Sequence, residues 1–196
     1  MDRRQVNAYA LACEEIGTRE LKGDKHNPDV VAYFADVGHS WVKDDETAWC
    51  AAFVGAMLER NKLSSTRKLN ARSYLDWGDP VDLESARAGD IVVFSRGNPA
   101  GWQGHVGFFV RRNGTNIEVL GGNQSDQVIV ARYPISRLLG VRRWPALNPT
   151  PTPTVTEDDL PRGNPIVRLI ETVVMALARI LTNIMRQLGL GKDGPA

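Results

Sequence analysis

The sequence predicts an α+β domain, with helices first and an antiparallel β-meander after them. Apolar residues recur at helical spacing as far as about residue 80. Beyond Pro80, short runs of β-branched and aromatic residues alternate with Gly- and Asn-containing turns. The chain has 196 residues, 42% hydrophobic and 24% charged, which suits one domain with a sizeable core plus an appendage.

Taken in order, Val6, Tyr9, Ala10, Cys13 and Ile16 share one helical stripe, so residues 3–17 read as an amphipathic helix stopped by Gly17. Asn27-Pro28-Asp29 is a helix start, with a capping side chain, a proline in the first turn and an acid behind it. That helix runs through Val31 and Phe34 to Gly38. Ala48 to Leu58 is a third helix, and a short one from Ala71 to Trp77 ends at Gly78. Residues 88–94 then give a turn and a buried strand. Strands follow at His105–Arg112, Asn116–Leu120 and Gln127–Tyr133, with a fifth at Gly140–Trp144. Asn113-Gly114 marks a two-residue hairpin between the second and third of these.

Three residues carry candidate chemistry. Cys50 lies one or two residues into a helix, after the polar Asp-Asp-Glu-Thr stretch. It fits either a small buried hydrophobe or a nucleophile at the positive end of a helix dipole, which favours thiolate. Of three histidines, His26 sits in a polar loop and His39 at a helix end, whereas His105 opens a strand and can serve as a base. Asn123 follows a strand in Gly-Gly-Asn-Gln and fits either an ordinary turn residue or the amide that orients the imidazole. Gln124 and, last, Glu118 are alternatives for that third role. Nucleophile, base and orienting group thus appear in the order of a papain-like hydrolase.

Other chemistries find little support. Two distant cysteines and three scattered histidines have no zinc-ligand spacing, and Asp44-Asp45-Glu46 lacks the glycine and later glutamate of a calcium loop. Gly121-Gly122 follows a strand but opens no helix, so it is a poor nucleotide motif. No metal and no cofactor are expected. A net charge of +1 exerts no general pull on nucleic acid, and no nucleic-acid partner is expected. Cys13 and Cys50 are too few for a disulfide framework, and their apolar helical settings suit reduced thiols.

Five segments together resemble the NlpC/CHAP group of bacterial and phage cell-wall hydrolases over roughly residues 5–145. They are Glu15-Ile16-Gly17 with Asn27-Pro28, then Trp49-Cys50-Ala51-Ala52-Phe53-Val54, Gly89-Asp90-Ile91-Val92-Val93-Phe94, Gly104-His105-Val106-Gly107 and Gly121-Gly122-Asn123-Gln124. Within the group the chain is similar to the compact phage-type subgroup with Trp-Cys in place of Asp-Cys. The resemblance implies a papain-like fold with Cys50 as nucleophile, His105 as base and Asn123 as third member. It implies a peptidoglycan substrate cut at an amide bond, either within the stem peptide or between muramic acid and L-alanine. Trp49 replaces the usual oxyanion-assisting neighbour, a function that backbone N–H groups at the helix start can supply. Trp49, Trp102 and Gln103 are candidates for packing a glycopeptide, with Trp49 equally suited to the core, and Asp45 or Thr47 for lining the site.

The domain is expected over 1–145, a stiff Pro/Thr-rich linker over 146–165 and an amphipathic helix over 166–190. Ile166, Ile170, Val173, Leu177, Ile180 and Ile184 form a heptad stripe that calls for self-association or docking on a structural protein. Arg168, Glu171, Arg179 and Arg186 interrupt it and argue against a membrane span, and an anionic membrane surface is the lesser alternative. Residues 1–17 do not read as a secretory leader, because the apolar part is short and ends at Glu14-Glu15. The expectation is an endolysin, a tail-borne lysin or a secreted effector, made in a host cytoplasm or carried by a virion and acting on the cell wall. The alternative is a catalytically silent assembly module on the same fold.

Overall fold

The computed structural model describes residues 1–145, so the linker and the heptad helix expected beyond them lie outside the described residues. Three helices, α1 (Arg3–Glu14), α2 (Pro28–Asp36) and α3 (Cys50–Arg60), precede a 3-10 helix at Ala71–Asp76. The strands are β1 (Asp79–Val81), β2 (Ile91–Ser95), β3 (Gly104–Asn113), β4 (Asn116–Gly121), β5 (Ile129–Pro134) and β6 (Leu138–Arg143). Among the described residues this is the expected α+β layout, with helices first and an antiparallel sheet after them.

Local signals account for the helix starts. Asp2 caps α1 by accepting from Arg4 N–H, and Asn27 caps α2 by accepting from Asp29 N–H with Pro28 in the first turn. The buried face of α1 departs from the predicted stripe: Gln5, Ala8 and Ala12 are buried, while Val6 and Ile16 are about half exposed. The reason is Gln5. Its amide donates to Gly89 O at 3.0 Å and accepts from Trp144 N–H at 2.9 Å, so a buried polar group bonded at both its nitrogen and its oxygen sets the helix rotation. Helix α3 is buried from Cys50 through Leu58. It can lie so deep because Gly55 abuts Val37 and the Tyr74 hydroxyl, where any Cβ would collide.

The six strands run β1-β6-β2-β3-β4-β5, every neighbouring pair antiparallel. Strands β2 to β5 form the predicted meander, but β6 leaves it and pairs with β2, and the short β1 adds to β6. Pro80 made β1 hard to read, and it is tolerated there because β1 is an edge strand. The hairpin also differs by one residue: Asn113 pairs with Asn116, so the turn is Gly114-Thr115, with Gly114 at φ +59°.

This strand order forces the sheet to curl. Residues 134–138 connect β5 to β6 and can span at most about 14 Å. In a flat sheet of this order β5 and β6 would stand four strand spacings apart, about 19 Å. The curl brings Tyr133 of β5 onto Phe94 of β2, with ring centroids 4.9 Å apart. The sheet therefore has two cores. Ile91, Val93, Val106, Phe108 and Leu120 face the helices, and Val92, Phe94, Phe109, Ile117, Val119 and Val141 fill the hollow of the curl.

Candidate active site

Cys50 is the first residue of α3, and Trp49 caps that helix without a side-chain hydrogen bond. Phe53 N–H, bonded to Trp49 O, is the first of the helical series, so the N–H groups of the first turn have no intrahelical acceptor. Those of Cys50 and Ala51, with that of Val106 on β3, lie beside the sulfur and favour thiolate. Burial outweighs them, since Cys50 is only 6% exposed, and pushes the thiol above its ordinary value. The thiolate expected from the helix dipole alone is thus not the resting form. Both cysteines are free, and Cys13 is exposed.

His105 pairs with Phe94 across β2 and β3 and points into the curl, whereas the next residue, Val106, joins the helix-side core. Its ring is fully buried and stacks on Tyr133 at 4.9 Å and 11°. Burial, reinforced by the Arg96 charge, pushes its pKa down to about 3, so the imidazole is neutral. Its Nε2 lies 3.1 Å from Gln124 Oε1, and its Nδ1 lies 3.5 Å from a guanidinium nitrogen of Arg96. A guanidinium can only donate, so Nδ1 accepts and Nε2 carries the proton.

Gln124, not Asn123, is the side chain that hydrogen-bonds the His105 ring. The Gln124 amide nitrogen donates to three backbone carbonyls, those of Val119, Gly121 and Ile129. This leaves its oxygen aimed at His105 Nε2–H. Asn123 is instead the turn residue, half-buried and left-handed at φ +55°. The glycines before it serve packing: Gly121 lies against His105 and Gln124, and Gly122 lies on the Trp49 ring and Phe53. Glu118 is remote from the imidazole, because Arg111, Asn113 and Arg132 bind its carboxyl and hold it down at about 2.

Two of the expected substrate contacts have other occupations. Trp49 is fully buried, packs on Tyr33 and Phe53, and donates from Nε1 to Glu20. Asp45 is buried too, and its carboxylate accepts from Leu21 N–H, Asn27 N–H and His26 Nδ1, which ties residues 21–27 to the loop before α3. Burial raises its pKa, but these donors together hold the carboxyl below its ordinary range. Trp102, 75% exposed, and Gln103, also exposed, lie on the loop between β2 and β3 just ahead of His105, open to solvent.

Arg96 and Tyr133 also belong to the site. The guanidinium of Arg96 bears on His105, Cys50 and Tyr133 at once. The sequence does carry a signal for Arg96. Because β2 and β3 form a hairpin in which Phe94 faces His105, the residue two beyond Phe94 falls diagonally beside His105 on the same face. Tyr133 has no such signal, since its contact depends on the curl.

A thiol, an oriented neutral imidazole and helix N–H groups without intrahelical acceptors are the kinds of group that cysteine hydrolysis of the papain type requires. Residues 42–123, which bear Cys50, His105 and Asn123, match the CHAP domain family. Among solved structures, RipA, described as the resuscitation promoting factor interacting protein, is 15% identical with a TM-score of 0.46. A lipoprotein-like NLP/P60 family protein of Staphylococcus aureus is 17% identical with a TM-score of 0.44. The P60 domain of an antigen from M. avium subspecies paratuberculosis is 12% identical with a TM-score of 0.46. These alignments cover 72%, 73% and 72% of this chain respectively, and 94% of the M. avium domain. The chain spans only 62% of the RipA chain and 42% of the staphylococcal one. No curated protein sequence matches.

Proposed function

We propose that the chain is a cysteine hydrolase that cleaves an amide bond of peptidoglycan through an acyl-enzyme on Cys50. The observation that carries this reading is the locked His105 tautomer: Gln124 holds Nε2–H, which makes Nδ1 the ring nitrogen that takes a proton once Arg96 moves off it. Because thiol and imidazole are both neutral at rest, His105 acts as a general base and not as half of a standing ion pair. Sγ attacks the amide carbonyl carbon as its proton passes to Nδ1. The oxyanion meets the free N–H groups at the start of α3. The imidazolium then protonates the departing amine, which leaves a thioester. Water, losing a proton to Nδ1, hydrolyses the thioester and restores the thiol. The reading extends to a lysin-type role on the bacterial wall, with Trp102 and Gln103 meeting the glycopeptide.

Digestion of purified peptidoglycan by wild type and by Cys50→Ala, with products identified by mass spectrometry, tests this. New amine-bearing fragments from wild type alone support the reading and name the bond. Equal products from Cys50→Ala would refute it. A second reading, a binding module without turnover, draws on one observation: among the described residues no hydrogen bond joins Cys50 to His105, and Cys50 is almost covered. Absence of products from wild type would favour it.

A further inference from the structure

Resting on the hydrolase reading, we propose that Arg96 is a specificity-determining residue that binds a carboxylate on the substrate close to the scissile amide, and that this capture frees His105 Nδ1. Three observations converge on Arg96. It is exposed and stands at the end of β2, where the hairpin register sets it beside His105. Its guanidinium spends one donor on a 3.5 Å contact to a neutral imidazole nitrogen and otherwise lies near the Tyr133 hydroxyl. Among the described residues no carboxylate lies within ion-pair distance of it, although it stands beside Cys50 and His105.

A guanidinium has five donors in a planar fork that matches a carboxylate in bidentate fashion. Next to Cys50 and His105 the fork has only neutral acceptors, so an anion arriving with the substrate is its best partner. The geometry gives the capture a second consequence. While Arg96 donates to Nδ1, the lone pair that must receive the thiol proton is occupied. A carboxylate that draws the guanidinium off returns that lone pair to Cys50. Recognition of an acidic substrate and release of the base are therefore one movement of one side chain.

The test uses two reagents that differ in one charged group, iodoacetate and iodoacetamide, with Cys50 alkylation followed by intact mass in the full chain. Wild type should show an iodoacetate-to-iodoacetamide rate ratio about tenfold above that of Arg96→Gln, with Arg96→Lys between them. Equal ratios in wild type and Arg96→Gln would overturn the proposal. So would failure of both reagents to reach Cys50, since no anion then passes Arg96 to the thiol. In parallel, peptidoglycan is compared before and after carbodiimide-mediated amidation of its carboxylates with ammonia. Wild type should lose turnover on the amidated wall, and Arg96→Gln should be slow on both and indifferent to amidation. A shifted alkylation ratio with no digestion of either wall by wild type would sink the hydrolase reading and leave Arg96 as an anion receptor.

Discussion

His26 and His105 each hold a ring nitrogen near 3 Å from a side-chain oxygen, and the two rings end in opposite protonation tendencies. The His26 ring is partly exposed and its acceptor is the buried carboxylate of Asp45, whose hydrogen bond raises the ring's pKa. The His105 ring is wholly buried, its acceptor is the neutral amide of Gln124, and burial holds its pKa down at about 3. A carboxylate partner charges an imidazole, whereas an amide partner only orients it. His26 is thereby a structural clasp between two loops, and His105 an oriented ring kept neutral.

The largest effect expected from this contrast is functional. His105→Ala or Cys50→Ala should reduce peptidoglycan turnover by about a thousandfold or more, while His26→Ala should change it by no more than a few fold. Parallel release assays on folded variants would decide it, and a comparable loss in His26→Ala would break the distinction between clasp and base.

Exchanging the acceptors sharpens the comparison next. Gln124→Ala should lower turnover by about ten- to a hundredfold, against little change for Asn123→Ala. Gln124→Glu should raise the pKa of His105 toward that of His26, so an acid limb appears in the pH profile within the range where the protein stays folded. If Asn123→Ala proves the more damaging of the two alanine variants, the assignment of Gln124 fails.

A smaller effect concerns stability. Asp45→Asn should cost about 1–3 kcal/mol by weakening the acceptor for three donors, read as a fall in the denaturation midpoint. It should also return His26 to an ordinary pKa in an NMR titration.

The smallest effect is the pH dependence of folding, and its sign differs between the two rings. The pKa of His105 is depressed on folding, so below about 6.5 the unfolded chain takes a proton that the folded one refuses. Its contribution is lost as pH falls from there toward 3. His26 is raised on folding, so its contribution is complete below its unfolded value and disappears as pH rises through the folded one. Denaturation midpoints of His26→Gln and His105→Gln, measured against wild type from pH 5 to 8, should therefore diverge in opposite directions. Parallel curves would remove the electrostatic account of both pairs.

Much of this was legible from residue order, because the interactions concerned are local. Asn27-Pro28-Asp29 starts a helix through contacts that span two residues. Cys50 falls at a helix start because a polar loop meets an apolar run. Asn113-Gly114 marked the hairpin to within one residue, where side-chain requirements at a turn are strict. The Gly-His-Val and Gly-Gly-Asn-Gln segments pointed to the right strand and the right turn.

What escaped the sequence depends on groups far apart in the chain. Asn123 and Gln124 are neighbours of similar chemistry, and choosing between them requires three carbonyls on β4 and at the start of β5 that only the folded sheet assembles. Trp49 and Asp45 looked available for substrate until Glu20, Tyr33 and residues 21–27 closed over them. Tyr133 reaches His105 solely because a short β5–β6 connection bends six strands into a curl. The sequence by itself determined which residue types could act and on which elements they stand, since caps, turns and strand alternation are settled over a few residues. The tertiary structure decided which of them meet, how deeply each is buried and hence which forms are charged, because burial and long-range register are properties of the whole packed sheet.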